Sequence, residues 1–222
     1  MVRVMGGKGK MKIINAGFEI MDPLNGEKIL RKIERVARVC YKSEDKITTG
    51  SAEKMVRALV KRGHEAMLEH FSFSVKFTVD RGVSHELVRH RIASFAQEST
   101  RYCNYGHEGE ISVIEPFYLK ECRDKEPWKY NAWIEACCKA EDRYLCLLEW
   151  GASPQEARAV LPNSLKTEIV VTANLREWRN IFKLRAVGVT GKPHPQMLEV
   201  MVPLLEEVKK QIPVVFDDLV TE

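Results

Sequence analysis

The chain has 222 residues, of which 45% are hydrophobic, and this content is sufficient for a substantial buried core. Its 35 basic and 31 acidic residues are spread along the sequence and leave a formal charge of +4, so no nucleic-acid-binding tail is expected. The longest apolar runs, such as residues 169–173, are far shorter than the roughly 20 residues that cross a bilayer, so no membrane span is expected.

Two features of the sequence indicate the cellular location of the protein, namely residues 1–10 and the six cysteines. The first segment is basic but lacks the continuous apolar stretch of a secretory signal, so we interpret it as a flexible leader before a single domain over residues 11–222. The cysteines form no C-x-x-C pair and no His/Cys pattern with the spacing of a metal site. We therefore expect reduced thiols, no bound metal and a cytoplasmic location.

The first third of the chain combines amphipathic helices with one clear strand. Residues 11–20 are predicted as a strand. Residues 27–40 and 51–61 are predicted as helices, because their apolar residues recur at helical spacing. Residues 71–79 alternate without error between apolar and polar side chains, which is the period of a half-buried strand.

A helix over residues 82–92 and a loop over residues 93–110 are predicted next, and they contain the most donor-rich stretch of the chain, RHRIASFAQESTRY. In a helix its first residues, Arg89, His90 and Arg91, point in directions about 100° apart and cannot share one solvated face. At least one of them is then expected to face protein or ligand. The alternative is a basic helix surface with one arginine paired to a carboxylate, because most charged side chains are solvated.

The second half of the chain is predicted to be mainly helical. Ser153, Pro154 and Glu156 have the spacing of a capping box with proline at the first helical position. The periodicity predicts helices over residues 128–149, 175–184 and 195–210 and a strand over residues 165–173. Together these elements indicate an α+β fold, a single helix-rich domain with few strands.

Six arginines attract attention by their positions in these segments, because the planar guanidinium group suits phosphate and carboxylate ligands. They are Arg89, Arg91, Arg101, Arg158, Arg176 and Arg185. Whether they converge on one site is not visible in the sequence. For Arg158, Arg176 and Arg185, the alternative interpretation is that the side chain is solvated at the surface or forms an ion pair with a carboxylate.

The order of several motifs resembles that of the flavin-dependent thymidylate synthases. The signature R-H-R, seven residues, then Ser is matched by Arg89-His90-Arg91 and Ser99, with Arg101-Tyr102 following. Three other blocks are also similar to the family: Gly63-His64-Glu65 with Glu69-His70, residues 157–162 (ARAVLP), and Asn174-Leu175-Arg176 with Asn180 and Leu184-Arg185. The blocks keep the family's order from about residue 11 to the C-terminus.

The resemblance implies a fold, a reaction and an assembly. The fold is α+β with a small, mainly antiparallel sheet in a catalytic domain over residues 11–222. The reaction is the reductive methylation of dUMP to dTMP, with methylenetetrahydrofolate as the carbon donor and FAD reduced by NADPH as the hydride source. The assembly is a homotetramer with FAD sites at subunit interfaces, acting on small molecules and on neither nucleic acid nor membrane.

The resemblance also assigns roles to residues by their positions. The implied FAD-binding residues are His64, Ala66, Arg89, His90, Arg91, Gln97, Asn174, Arg176, Asn180 and His194. The implied dUMP-binding residues are Glu86, Arg89, Gln97, Glu98, Ser99, Thr100, Arg101, Arg158 and Arg185. Arg185 is also the expected catalytic residue, because a fixed cation beside the uracil favours its polarised form. Four positions depart from the usual pattern: Ala66, Glu86, Ala96 and Glu98, the last standing where an apolar residue is frequent.

Two other interpretations are compatible with the residues. One is a non-enzymatic module that binds nucleotides or RNA with the same arginines, with affinity that falls steeply with salt. The other is a flavoprotein that oxidises reduced nicotinamide without methylating a substrate. Cys103 lies close to the arginine motif, and we interpret it as a packed small side chain and not as a nucleophile.

Overall fold

A computed structural model describes residues 2–3, 11–107 and 109–221 of the chain. The predicted leader, residues 1–10, lies outside the described residues except for the backbone of β1 (Val2–Arg3). No helix in the described part has the length and apolar composition needed to cross a membrane.

The chain divides into two compact units. The first unit contains the described residues up to Gly17 together with Phe77–Arg89 and Ala96–Ile169. The second contains Phe18–Lys76, His90–Phe95 and the described residues from Val170 onwards. The single domain predicted over residues 11–222 stays a prediction.

More of the described residues lie in helices than in strands, and this confirms the α+β, helix-rich prediction. The remaining strands are β2 (Lys12–Ile14), β3 (Gly17–Ile20), β4 (Ser72–Asp80), β5 (Ala93–Gln97), β6 (Ser112–Ile114) and β7 (Lys166–Asn174). The α-helices are α1 (Gly26–Val39), α2 (Ser51–Lys61), α3 (Arg81–Leu87), α4 (Phe117–Cys122), α5 (Pro127–Glu149), α6 (Pro154–Ala157), α7 (Leu175–Phe182) and α8 (Pro195–Gln211). A π-helix, Lys183–Val187, follows α7.

The strands form two small sheets. One has the order β1-β2-β6, in which β1 is antiparallel and β6 parallel to β2. The other has the order β3-β4-β7-β5. In β4 the apolar side chains at every second position are buried, as the alternation predicted. The capping box at the start of α6 is also present, with Ser153 and Glu156 bonded reciprocally.

Three predicted elements differ from the structure. The strand predicted over residues 11–20 is interrupted at residues 15–16 and forms β2 and β3. The helix predicted over residues 82–92 ends with α3 at Leu87, so the basic triplet follows the helix in a turn. The loop predicted over residues 93–110 begins with β5, whose half-exposed residues at the edge of the sheet carry no hydrophobic period.

Each unit has its own apolar core. In the first unit, Ile13 and Val113 of the small sheet pack with Tyr144 of α5. In the second unit, the Trp178 ring stacks on Phe73 with centroids 4.9 Å apart, and its indole N–H donates to the Phe73 carbonyl oxygen at 3.1 Å. This contact fixes α7 on β4, so the exposed face of α7 is held in a defined orientation.

Glu141 of α5 is a carboxylic acid inside the core of the first unit. Its side chain is fully buried, and its Oε1 accepts a hydrogen bond from the Ile111 backbone N at 2.8 Å. Burial raises the pKa of this carboxyl, against the lowering effect of the backbone hydrogen bonds. The folded state therefore binds the proton more tightly than the unfolded state does, and the resulting stability is lost as pH rises through the folded-state pKa.

We expect Glu141→Gln to become more stable relative to the parent protein as pH is raised from about 5 to about 8, because the amide does not ionise. Urea unfolding of both proteins across this range measures the difference. Glu135→Gln, on the exposed side of the same helix, is the control and should not show this growth. Parallel pH curves for Glu141→Gln and the parent would contradict the argument.

Candidate active site

A hydrogen-bonded turn follows β5 in the first unit. The Ser99 carbonyl oxygen accepts from the backbone N–H groups of Tyr102 at 3.1 Å and Cys103 at 2.9 Å. Ser99 Oγ accepts from the Arg101 backbone N at 3.3 Å. Thr100 is buried, whereas the Arg101 guanidinium is exposed and lies over the Tyr102 ring at 5.4 Å. We call residues 99–103 the substrate turn, after the substrate-binding role that the family resemblance predicts for Ser99, Thr100 and Arg101.

Two other predicted residues of the first unit have side chains hydrogen-bonded to protein. Gln97 Nε2 donates to Ser84 Oγ at 2.9 Å and to Thr167 Oγ1 at 3.2 Å, so its side chain is bound to protein. Arg158 Nη1 donates to Thr100 Oγ1 at 3.2 Å, although most of the Arg158 residue is exposed. The structure therefore brings Arg158 to the substrate turn.

Glu98, placed among the substrate-binding residues by resemblance, has a side chain that contacts protein. Its Oε1 accepts from the Tyr105 hydroxyl at 2.7 Å, and its Oε2 accepts from Lys166 Nζ at 2.9 Å and from the Glu168 backbone N at 3.2 Å. Sequence reasoning missed Tyr105 and Lys166. The only signal available was the charge of Glu98 at a position where an apolar residue is frequent.

The basic triplet presents two exposed arginines. Arg89 is the last residue of the segment Phe77–Arg89 of the first unit, and its backbone N donates to the Glu86 carbonyl oxygen at 3.3 Å. Arg91 belongs to the second unit. Within the part of the chain that the structure describes, neither guanidinium group has a hydrogen bond or an ion pair. Both donors are therefore available to a ligand.

His90 of the second unit connects the expected catalytic residue to a buried carboxylate. Arg185 Nε donates to His90 Nε2 at 3.2 Å, and His90 Nδ1 lies 3.3 Å from Glu177 Oε1. His90 and Glu177 are both buried. Burial raises the pKa of Glu177, and a hydrogen bond from Asn180 acts against this rise. An acceptor at Nε2 requires the proton on Nδ1, so the arrangement favours the tautomer that donates to Glu177.

The other residues predicted on α7 have different neighbours. Asn174 is the N-cap residue of α7, and its Oδ1 accepts from the Glu177 backbone N at 2.9 Å. Arg176 Nη1 donates to Glu69 Oε1 at 2.5 Å, and both side chains are about half exposed. Asn180 is exposed one turn along the helix from Arg176. Arg176 and Asn180 thus lie on the exposed face of α7, hydrogen-bonded to Glu69 and Glu177 respectively.

His64 and Ala66 line a cavity of about 660 Å³ in the second unit. Apolar side chains such as Met55 and Leu59 of α2 form much of its wall. Basic side chains at its lining are Arg38, Lys46, Arg62 and His64 itself. By contrast, His194 is the N-cap residue of α8, where its Nδ1 accepts from the Gln196 backbone N at 3.3 Å.

Each of the two units thus offers arginine donors, and the first adds a turn that contains Ser99 and the exposed Arg101. Fold and donors together define an α+β protein equipped to bind anionic, nucleotide-like ligands.

Comparison with known proteins gives the family. The family described as thymidylate synthase complementing protein matches residues 26–214. A flavin-dependent thymidylate synthase of Corynebacterium efficiens is 36% identical over 204 residues, covering 86% of this chain and 79% of that protein. The enzyme of the same name from Pyrococcus furiosus is 34% identical over 171 residues, covering 76% of this chain and 67% of that protein.

Two solved structures share the fold. The UMP/dUMP methylase PolB from Streptomyces cacaoi, bound with 5-Br dUMP, has a TM-score of 0.79 at 23% identity and covers 93% of this chain and 96% of its own. Thymidylate Synthase X (ThyX) from Helicobacter pylori, with FAD and dUMP, has a TM-score of 0.71 at 22% identity and covers 92% and 98%. The chain belongs to the thymidylate synthase complementing protein family, as a member of the flavin-dependent thymidylate synthases.

We expect Glu177→Leu to weaken the preference of His90 for the Nδ1-protonated tautomer, because the acceptor of that proton is removed while Arg185 still donates to Nε2. Glu177→Gln retains an acceptor oxygen and is expected to keep the preference. Nitrogen-15 NMR of the imidazole in the parent and both variants identifies which ring nitrogen carries the proton. A parent protein with the proton on Nε2 would show that the Arg185–His90 contact is assigned wrongly.

Proposed function

We propose that the chain converts dUMP to dTMP, taking the carbon from methylenetetrahydrofolate and the reducing electrons from NADPH through FAD. The observation that carries this proposal is the substrate turn. Ser99 and the exposed Arg101 stand there beside Arg158, in a chain of the flavin-dependent thymidylate synthase family. The hydroxyl group of Ser99 and the guanidinium group of Arg101, held in one turn, are suited to a nucleotide phosphate.

Residues of this chain fit a bound FAD. The unpaired guanidinium groups of Arg89 and Arg91 can each bind a phosphate through paired N–H groups. Arg176 is held by Glu69 in an exposed ion pair, and such pairs contribute little, so a phosphate can replace the carboxylate. When bound, FAD supplies the hydride that turns the transferred one-carbon group into a methyl group.

The cavity beside His64 is proposed to accept ring systems. Its apolar walls suit a flat heterocycle, and the basic side chains of Lys46 and Arg62 suit a negatively charged tail. Methylenetetrahydrofolate has both parts, and the flavin has the ring. His64 and Ala66 keep their proposed place beside the flavin on this basis.

Arg185 is proposed as the catalytic residue. Its contact with His90 holds the guanidinium in a fixed orientation, and a guanidinium group is suited to the carbonyl oxygens of uracil. A cation held in place before the reaction stabilises developing negative charge without reorganisation during it. Neither Ser99 nor Cys103 is needed as a nucleophile in this arrangement.

The assembly and location are also parts of the proposal. A homotetramer with FAD at subunit interfaces is supported by the exposure of Arg89, Arg91, Arg101 and Arg176, whose donors face solvent in a single chain.

A cytoplasmic location is supported by the cysteines, all of which are free thiols. Burial raises the pKa of the Cys137 thiol to about 12, so this residue stays protonated and unreactive.

The purified protein is expected to be yellow with non-covalent FAD and to form dTMP from dUMP when methylenetetrahydrofolate and NADPH are added. Arg185→Ala should lower turnover at saturating dUMP by roughly two orders of magnitude, the effect of losing one preorganised charge. Cys103→Ala should keep most of the turnover. A colourless protein that binds no added FAD would exclude the proposal. A flavoprotein that oxidises NADPH but yields no dTMP would support the second interpretation of the sequence.

We expect substitutions of different arginines to weaken the binding of different ligands. Arg89→Ala and Arg176→Ala should weaken FAD binding, and Arg101→Ala should mainly weaken dUMP binding, each by about 1.5 to 3 kcal/mol for a lost charge-assisted contact. Titration of both ligands against the three variants measures this. Lys139→Met, an exposed charge on α5, is the control. Equal losses of both ligands in every variant would contradict the assignment.

A further inference from the structure

Glu98 and Tyr105 lie on either side of the substrate turn and are joined across it. The Tyr105 hydroxyl donates to Glu98 Oε1 at 2.7 Å, so this hydrogen bond closes a loop that contains Ser99 and Arg101. The Tyr105 ring also packs against Tyr144 of α5, with centroids 5.9 Å apart. The bond therefore ties the beginning of the turn to a residue that is anchored in the core of the first unit.

The other oxygen of the same carboxylate binds β7. Glu98 Oε2 accepts from Lys166 Nζ at 2.9 Å and from the Glu168 backbone N at 3.2 Å. The main chain of Glu98 is held as well, because its N–H donates to the Glu168 carbonyl oxygen at 2.9 Å and its own carbonyl oxygen accepts from Arg81 Nη1 at 3.4 Å. One residue thus connects the turn to β7 and to α3 through both side chain and backbone.

The contacts of Glu98 are largely shielded from water. The side chains of Glu98 and Lys166 are 15% and 22% exposed. Charge-assisted hydrogen bonds in such surroundings are stronger than exposed ion pairs. Burial and the hydrogen bond to Glu98 raise the pKa of Tyr105 well above the ordinary value for tyrosine, so its hydroxyl remains a donor.

We propose that Glu98 is a positioning residue which, through Tyr105 and Lys166, holds the substrate turn in the conformation that binds the nucleotide phosphate. It does not contact the substrate through its own side chain. This inference rests on the proposed function, since that function assigns Ser99 and Arg101 to the phosphate. We call the hydrogen bonds of the Glu98 carboxylate to Tyr105 and Lys166 the clamp. Without the clamp, the turn must be ordered when the nucleotide binds, and this cost lowers affinity.

The consequence is specific to one ligand. Loss of the clamp raises the dissociation constant and the KM for dUMP, because the turn that binds the phosphate is no longer preorganised. Binding of FAD and turnover at saturating dUMP remain near the parent values, because once the nucleotide is bound the turn is ordered. A general structural role for Glu98 would instead lower thermal stability and weaken all ligands together.

The test uses FAD-loaded full-length protein and two conservative variants. Tyr105→Phe removes a single hydroxyl and keeps the packed ring, and Lys166→Met removes the charge and keeps the aliphatic chain. Each is expected to raise the dUMP dissociation constant about tenfold, the effect of one lost charge-assisted hydrogen bond. Lys139→Met, which breaks an exposed Glu135–Lys139 pair in the same unit, is the matched control and should bind dUMP as the parent does.

Reversal of one charge adds a graded comparison. Lys166→Glu places two carboxylates together and should weaken dUMP binding more than Lys166→Met does. Unchanged dUMP affinity in Tyr105→Phe and Lys166→Met, or Lys166→Glu binding dUMP as tightly as the parent does, would overturn the positioning role.

Hydrogen exchange of the substrate turn, measured without any nucleotide, separates this inference from the proposed function. The amides of Tyr102 and Cys103, which donate to the Ser99 carbonyl oxygen, should exchange faster in both variants than in the parent. A parent protein that fails to bind dUMP would overturn the proposed function. A parent that binds dUMP, with exchange and affinity unchanged in the variants, would overturn the clamp alone.

Discussion

The second unit depends on the buried guanidinium group of Arg179. Only 1% of this residue is exposed, and it binds Asp218 with two N–H groups at 2.7 Å each, Glu65 at 3.0 Å and the Val215 carbonyl oxygen. A buried charge is tolerated only when its donors are satisfied, so each partner must keep its place. The residue thereby joins α7, the segment with His64 and Ala66, and the C-terminal segment. Removing either carboxylate would leave N–H groups of this buried guanidinium without their acceptor.

Arginine serves two opposite purposes in this chain. Arg179 holds the fold because carboxylates surround it, whereas Arg89 and Arg91 are open to ligands because no described residue pairs with them. Sequence reasoning selected six arginines from motifs and omitted Arg179, since a buried and an exposed arginine look alike in a sequence. Their difference comes from Asp218 and Glu65, which are far from Arg179 along the chain. Contacts of this kind are set by the fold and not by local pattern.

The local sequence pattern predicted secondary structure correctly where one face of an element is buried. The alternation in β4 and the capping box of α6 were predicted correctly because period and capping are properties of neighbouring residues. It failed at the end of α3, where the backbone turns after Leu87, and at β5, an edge strand with no apolar period. The motif order identified the family, but the clamp of Glu98 with Lys166 required strands distant in sequence to pair.

Arg185 lies within the π-helix Lys183–Val187, so the number of residues in this turn determines the direction of its side chain. A π-helix has a wider turn than an α-helix, and such single turns are frequent at functional sites. It ends at Gly188, whose left-handed backbone conformation, with φ of 79°, favours glycine. One residue fewer in this turn would permit an ordinary α-helix and rotate the following side chains by about 100°. A deletion just before Arg185 is therefore a more severe change than most substitutions in this segment, because it redirects the Arg185 side chain without altering its chemistry.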